Sequence, residues 1–192
     1  MKLVFATHNQ NKVKEVQLLL PESIHILSLQ DIGCHEEIPE IADSLEGNAI
    51  LKANFVTAGY GYDCFADDTG LLVDALHGAP GVVSARYAGT ENNSEANMNK
   101  LLNALRNHSQ RKAHFKTVIA LNLNGAQHLF EGKAHGEITS EKRGNHGFGY
   151  DPIFKPDGFE ETFAELPIAL KNNISHRAKA MKELLHFLNE MS

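Results

Sequence analysis

Short runs of apolar residues alternate along the chain with polar, turn-forming segments, and this pattern predicts a protein that mixes strands and helices. Compact apolar runs over 2–7 and 24–28 are typical of buried strands. Residues 12–20 carry apolar side chains on one face, as an amphipathic helix does, and Pro21 ends that helix. The first strand, the polar loop after it and this helix form half of a βαβ unit.

Three more helices follow from apolar residues at helical spacing. The first runs over 44–58, where Asp43 and Glu46 have the spacing of a capping box. The second is capped by Ser94 and runs to about residue 105. The third opens with the segment 175–177 and continues towards the end of the chain.

A hairpin is predicted between the second and third of these helices. Residues 114–122 alternate between apolar and polar, Asn124 and Gly125 favour a two-residue turn, and residues 126–137 continue as a strand. Because a hairpin pairs its strands antiparallel, the sheet is expected to be mixed.

Two adjacent aspartates interrupt the apolar pattern. Residues 65–70 read Phe-Ala-Asp-Asp-Thr-Gly, which predicts a buried strand that ends at a glycine turn. Adjacent strand residues point to opposite faces, so Asp67 and Asp68 cannot both simply face solvent. We expect one of them to point into a cleft, where a carboxylate could hold Mg²⁺ or activate water.

Three other segments carry chemistry suited to a phosphorylated ligand. Thr7, Asn9 and Lys12 lie with free backbone N–H groups at a helix N-terminus, which favours an anion, although the glycines of a Walker loop are missing and an ordinary turn is the alternative. Lys52 lies beside an apolar helix face; most such lysines reach water, and one directed into a cleft could bind phosphate. In the glycine-rich segment 144–151, Phe148 is well placed to stack on a flat base.

Composition narrows the class of partner. The 192 residues are 42% hydrophobic and 22% charged, with a formal net charge of −6, which argues against nucleic acid and anionic membranes but not against a small anion. Two isolated cysteines fit a reducing cytosol, no apolar run is long enough to cross a bilayer, and none of the eleven histidines has an obvious zinc-binding spacing. We therefore expect a cytoplasmic protein.

Five segments together resemble the inosine triphosphate pyrophosphatase family, whose members hydrolyse non-standard purine nucleoside triphosphates such as ITP, dITP and XTP (XTP/dITP diphosphatases). The segments are 7–12, 48–53, 66–70, 147–152 and 175–177. Their order and spacing match the family from end to end. His8, Gly47 and Thr69 depart from the residues that are commoner in the family, and none of these changes removes a group that the chemistry needs.

The resemblance implies a fold and an activity. The expected fold is α/β, with a long mixed β-sheet flanked by helices, two lobes and a central cleft, in one domain over residues 1–192 that forms a homodimer. The expected reaction is Mg²⁺-dependent cleavage between the α- and β-phosphates to a nucleoside monophosphate and pyrophosphate, which cleanses the nucleotide pool.

The resemblance also assigns roles. By resemblance, Asp68 is the catalytic residue, acting as general base on the attacking water. Because Mg²⁺ is held by few carboxylates together with phosphate oxygens and waters, we further expect Asp68 and Glu40 to be its ligands, with Asp67 as a second layer or substitute. Lys171, His176 or Arg177 donates to the 6-keto oxygen, a position where adenine carries an amino donor that the site would reject. The substrate-binding set is Thr7, His8, Asn9, Gln10, Asn11, Lys12, Lys52, Thr69, Phe148, Gly149, Tyr150, Asp151, Lys171, His176 and Arg177.

Two other functions are compatible with these residues. One is a nucleotide pyrophosphatase that prefers modified pyrimidines or standard triphosphates. The other is a non-catalytic nucleotide sensor, against which the pair of carboxylates argues, because simple binding of phosphate favours fewer of them.

Overall fold

The computed structural model describes residues 1–191 and alternates strands with helices over most of that length. The strands are β1 Lys2–Phe5, β2 His25–Leu27, β3 Cys64–Val73, β4 Pro80–Gly81, β5 Lys112–Leu123, β6 Ala126–Ile138 and β7 Phe154–Pro156. The α-helices are α1 Gln10–Gln17, α2 Leu45–Tyr60, α3 Ser94–Ala104, α4 Ile168–Ile174 and α5 His176–Glu190.

The strands form one sheet in the order β2-β1-β3-β5-β6-β7, with β4 paired to β3. β1 is parallel to both β2 and β3, whereas β4 runs antiparallel to β3 and β7 antiparallel to β6. β5 and β6 are joined by the predicted Asn124-Gly125 turn, whose two φ angles are 51° and 79°. The expected α/β class with a mixed sheet is confirmed.

The chain divides into two compact units, each with its own apolar core. The first comprises Met1–Asp68, Thr117–Gly132 and the chain from Arg177 onward, and the second comprises Thr69–Lys116 and Lys133–His176. The core of the first includes Leu3, Phe5, Phe65, Met181 and Leu184, and the core of the second includes Leu101, Phe115, Phe154, Phe163 and Leu166. The single domain over residues 1–192 stays a prediction.

The paired aspartates do not end their strand. β3 continues through Gly70 to Val73, because Leu71 and Val73 are fully buried and Leu71 pairs with Gly81 of β4. The predicted glycine turn at Gly70 is therefore wrong, and the two carboxylates project from the middle of a strand whose backbone is held on both sides.

Two predicted helix caps are displaced by one residue. Ser44 caps α2, its Oγ accepting from the N–H of Gly47 at 3.1 Å, where Asp43 was expected to do so. Asn93 caps α3, its Oδ1 accepting from the N–H of Ala96 at 3.0 Å, in place of Ser94. Ser, Asp and Asn are all good N-caps, so neighbouring residues of these types leave the helix start ambiguous in the sequence.

Among residues 1–191, no helix is both long enough and apolar enough to cross a bilayer.

Two glycines test the packing of this fold. A Cβ at Gly136 in β6 would lie 2.2 Å from the Lys155 carbonyl oxygen, whereas a Cβ at Gly59 in α2 would meet open space. We expect Gly136→Ala to lower the free energy of unfolding by about 1–3 kcal/mol. The matched variant Gly59→Ala should raise it by about 0.5–1 kcal/mol, because alanine loses less backbone entropy in a helix. Urea denaturation measures both, and equal effects would contradict the described packing at β6.

Candidate active site

The loop before α1 is ordered by its own side chains. Asn9 caps the helix, its Oδ1 accepting from the N–H groups of Asn11 at 3.0 Å and Lys12 at 3.3 Å. Thr7 Oγ1 accepts from the N–H of Asn9 at 3.1 Å, and the His8 ring nitrogen Nε2 lies 3.0 Å from the Glu36 carbonyl oxygen. Gln10 and Asn11 are exposed in the first turn of α1. The N–H groups of Asn9, Asn11 and Lys12, which were expected to be free, are therefore already bonded to side chains, and only the helix dipole still favours an anion at this position.

Asp67 lies at the centre of a buried ion-pair network. Its Oδ1 accepts from Lys12 Nζ at 2.9 Å, and its Oδ2 accepts from Arg177 Nε at 3.2 Å and Nη2 at 3.1 Å. Arg177 also donates through Nη1 to Glu15. Burial alone would raise the pKa of Asp67, but Lys12 and Arg177 outweigh it and hold that pKa well below its usual range. Asp67 is thus ionised and saturated by cations.

Asp68 has different neighbours, as expected for the next residue along a strand. Its Oδ2 accepts from Asn48 Nδ2 at 3.0 Å, and its Oδ1 lies 3.7 Å from Lys52 Nζ. Burial raises the pKa of Asp68 in spite of the nearby Lys52 ammonium. A carboxylate with a raised pKa is a stronger base than an exposed one, so Asp68 is chemically suited to take a proton from water.

Lys52 does not extend to solvent. It is 6% exposed, and its Nζ donates to Glu40 Oε1 at 2.6 Å. Burial would lower the pKa of Lys52, but Asp68 and Glu40 outweigh that effect and raise it, so the ammonium is charged. Of the two alternatives for this lysine, extension to water is excluded, because Glu40 and Asp68 hold its ammonium in a buried position. Its binding of phosphate stays a prediction.

The oxygen donors fit a magnesium ion that is shared with a substrate. Glu40 and Asp68 already converge on one cation, the Lys52 ammonium. Mg²⁺ is commonly bound by one or two carboxylates together with phosphate oxygens and waters. Within residues 1–191 no group of three or more His, Cys, Asp and Glu side chains is gathered closely enough to hold a metal. Glu40 and Asp68 could therefore offer two carboxylates to such an ion, whereas Asp67 is already engaged by Lys12 and Arg177.

A second group of predicted residues is built around Asp151 in the second unit. Asp151 Oδ2 accepts from the N–H of Phe148 at 2.8 Å and from Lys171 Nζ at 2.6 Å. Lys171 Nζ also lies 5.3 Å from the centre of the Phe148 ring. Gly147 has a φ of +74°, and a Cβ there would lie 2.0 Å from Asp151 Oδ2. One buried carboxylate thus holds both the aromatic loop and the lysine.

The remaining predicted residues have varied surroundings. Tyr150 is buried and donates through its hydroxyl to the Ser84 carbonyl at 2.7 Å, while Gly149 has a positive φ of 63°. The ring of His176 stacks on Phe115 with 4.5 Å between ring centres, and Thr69 is half-buried in β3. His176 belongs to the second unit, whereas Arg177 belongs to the first. The substrate-binding and catalytic roles of all these residues stay predictions.

The structure adds three residues that were not assigned a role from the sequence: Glu15, Asn48 and Gly147. Glu15 follows Lys12 by three residues on α1, a spacing that places two side chains on one helix face. Asn48 lies in a segment that carries the family resemblance, and Gly147 precedes Phe148 directly. The three-residue spacing from Lys12 could therefore have indicated Glu15, but nothing in the sequence indicated its ion pair with Arg177 of α5.

Comparison with known proteins identifies the family. A model of the Ham1 family matches residues 3–187. The chain belongs to the Ham1 family. Ham1-family relatives named dITP/XTP pyrophosphatase include proteins of Flavobacterium johnsoniae, 64% identical with 98% of each chain covered, and of Porphyromonas gingivalis, 55% identical with 97% of each chain covered.

Solved Ham1 structures have the same fold. The Ham1 protein of Staphylococcus aureus superposes with a TM-score of 0.91 at 37% identity, with all of both chains covered. The HAM1 protein of Coxiella burnetii gives a TM-score of 0.91 at 39% identity, with 99% of both chains covered. The predicted resemblance to this family is confirmed over nearly the whole chain.

The two aspartates are expected to affect stability differently. Asp67→Asn leaves Lys12 and Arg177 as buried cations with too little negative charge, and we expect a loss of about 3–5 kcal/mol in the free energy of unfolding at neutral pH. Asp68→Asn removes a carboxylate whose charge is disfavoured by burial, so its effect should stay within about 1 kcal/mol. Urea denaturation measures both, and equal losses would contradict the separation of the two residues.

The pH dependence of the free energy of unfolding provides a control for the Asp67→Asn variant. The pKa of Asp67 is lower in the folded chain than its ordinary value of 3.8, so its stabilisation is present above that value and is lost as the pH falls towards the folded-state pKa. The difference between wild type and Asp67→Asn should therefore narrow on acidification below pH 3.8, and a difference that widens would contradict the ion pair.

Proposed function

We propose that this chain hydrolyses non-standard purine nucleoside triphosphates, with dITP, XTP and ITP as the substrates to test first. That the chain is an enzyme of the nucleoside triphosphate pyrophosphatase class is confirmed by its place in the Ham1 family and by relatives that match it almost end to end. One observation carries the chemistry: Asp68 is buried, has a raised pKa and shares Lys52 with Glu40, while its neighbour Asp67 is fully engaged elsewhere.

We assign the phosphate tail to the group of residues around Asp67 and Asp68. A triphosphate carries about four negative charges near neutral pH, and this group offers Lys12, Lys52 and the N-terminus of α1. The pKa of Lys12 is lowered by burial, in spite of Asp67, and the neighbouring cations Lys52 and Arg177 lower it further. An anionic tail would relieve this repulsion, which supports a polyphosphate as the ligand.

Glu40 and Asp68 are the residues that would hold Mg²⁺. The ion would neutralise charge on the tail and lower the pKa of water. Asp68 would orient the attacking water and accept its proton, and Asn48 keeps the Asp68 carboxylate in place through its Nδ2 donor. Lys52 would offset the charge that develops on the departing pyrophosphate. The bond broken in this proposal joins the α- and β-phosphates, so the products are a nucleoside monophosphate and pyrophosphate.

The base is assigned to the group around Asp151. Phe148 would stack on the purine, and Lys171, His176 or Arg177 would donate to the 6-keto oxygen. Since adenine carries a donor at that position, a site built on this hydrogen bond would discriminate against it by roughly 10⁴ or more. The pairing of Asp151 with the Phe148 N–H supports the assignment, because it holds the loop that carries the aromatic ring.

We further propose a cytoplasmic homodimer with no nucleic-acid partner. The dimer rests on the family resemblance. The location rests on two free, buried thiols, Cys34 and Cys64, and the nucleic-acid exclusion on the net charge of −6.

A substrate panel tests the function. The full chain is incubated with dITP, XTP, ITP, ATP, GTP and a modified pyrimidine triphosphate, each with Mg²⁺ and with EDTA. We expect the 6-keto, non-standard purines to give pyrophosphate at far higher kcat/KM than ATP, and EDTA to abolish the reaction. Release of orthophosphate would overturn the proposed bond, and stoichiometric binding without products would indicate a nucleotide sensor.

Variants at the carboxylates test the mechanism. Asp68→Asn should lower kcat for dITP by roughly 10²-fold or more while KM changes little, since general-base catalysis is worth about 10²–10⁴-fold. Asp157→Asn, in an exposed turn, is the matched control and should keep wild-type kinetics. Near-normal turnover by a folded Asp68→Asn protein would rule out the assigned role.

A further inference from the structure

Two histidines face each other on the β5–β6 hairpin, in the second unit. The Asn124-Gly125 turn places residue 123 of β5 opposite residue 126 of β6. An equal number of residues counted away from the turn along each strand leads to His114 and His135, which therefore lie opposite each other. The structure agrees, because the two imidazole ring centres lie 5.3 Å apart with 31° between the ring planes. The pair is on the outer side of the hairpin, where His114 is half-buried and His135 is exposed.

Both imidazoles are available to a ligand. Among residues 1–191 the structure records no hydrogen bond from either ring to another side chain or to the backbone, and the two rings contact each other. The charged groups that act on His114 are the Asp74 carboxylate, which raises its pKa, and the Lys116 and Lys133 ammonium groups, which lower it. Burial lowers the pKa of His114, and His135 and the two lysines lower it further, which keeps that imidazole in its neutral, metal-binding form at neutral pH.

We propose that His114 and His135 together chelate a divalent transition metal of the imidazole-preferring class, such as Ni²⁺, Cu²⁺ or Zn²⁺. Metal–nitrogen bonds of about 2.0–2.1 Å at a tetrahedral angle place two imidazole centres roughly 5 Å apart, close to the distance observed. Water would complete the coordination, because no cluster of three ligating side chains is present in the described part of the chain. This site is separate from the proposed magnesium site, which offers carboxylates.

Binding at this position should stabilise the hairpin. The metal would bridge β5 and β6, and a ligand that binds only the folded state raises the free energy of unfolding with its concentration. Because neither histidine is assigned to the nucleotide site, the proposal stands or falls independently of the proposed function.

Ni²⁺ is the probe of choice, since it prefers imidazole to carboxylate. The untagged full chain, in millimolar Mg²⁺ to occupy carboxylate sites, is titrated with Ni²⁺ by calorimetry, and Tm is followed in parallel. His114→Gln and His135→Gln are compared with wild type and with His108→Gln, an exposed loop histidine in the same unit. Hydrolysis of dITP in Mg²⁺ is measured for each variant as a check on folding.

The expected result is one Ni²⁺ per chain with a rise in Tm for wild type and His108→Gln. Loss of a residue that only hydrogen-bonds to a metal ligand weakens metal affinity by about 10–100-fold. Loss of His114 or His135, each a direct ligand in this proposal, should therefore weaken Ni²⁺ binding by at least about tenfold. Binding should also weaken on acidification, because protonation of an imidazole removes the lone pair that binds the metal. Identical isotherms for wild type, His114→Gln and His135→Gln, or an equal loss in His108→Gln, would overturn the proposal.

Discussion

The buried ion pair between Asp67 and Arg177 is the interaction on which the first unit depends. Both side chains are almost completely buried, and such charges are tolerated only when they are paired and hydrogen-bonded. The guanidinium of Arg177 uses Nε and Nη2 on Asp67 and Nη1 on Glu15, while Asp67 also accepts from Lys12. The start of α1, the middle of β3 and the start of α5 are thereby fixed to one another.

This pairing explains how two identical neighbours acquire different chemistry. Alternation along β3 sends Asp67 and Asp68 in opposite directions, and the cations around Asp67 stabilise its charge. Burial raises the pKa of Asp68 and the Glu40 carboxylate raises it further, and together they outweigh the Lys52 ammonium at 3.7 Å, Lys12 and the Asn48 amide donor. A carboxylate that is held in place but incompletely neutralised is what binding of a metal and activation of water require. The second unit also holds a buried carboxylate in place, but there Asp151 is paired directly with the Lys171 ammonium and accepts from the Phe148 N–H group.

Much of this arrangement was accessible from the sequence. Apolar runs predicted β1, β2 and the first part of β3, and the Asn124-Gly125 turn predicted the hairpin of β5 and β6, but the short strands β4 and β7 were not predicted. Strand alternation predicted different surroundings for Asp67 and Asp68. What the sequence did not reveal depends on long-range contacts. The continuation of β3 past Gly70 depends on pairing with β4, and the burial of Lys52 depends on Glu40, twelve residues away. The partnership of Glu15 with Arg177 joins residues at opposite ends of the chain, where local pattern carries no information.

A crystal structure with Mg²⁺ and a non-hydrolysable α,β-imido analogue of dITP tests the central claim most directly. The account predicts that the metal is coordinated by Asp68 and Glu40, with a phosphate oxygen near Lys52, and that Asp67 keeps its hydrogen bonds to Arg177. A metal on Asp67, with Arg177 released from it and Asp68 facing only protein, would contradict the division of roles between the two aspartates.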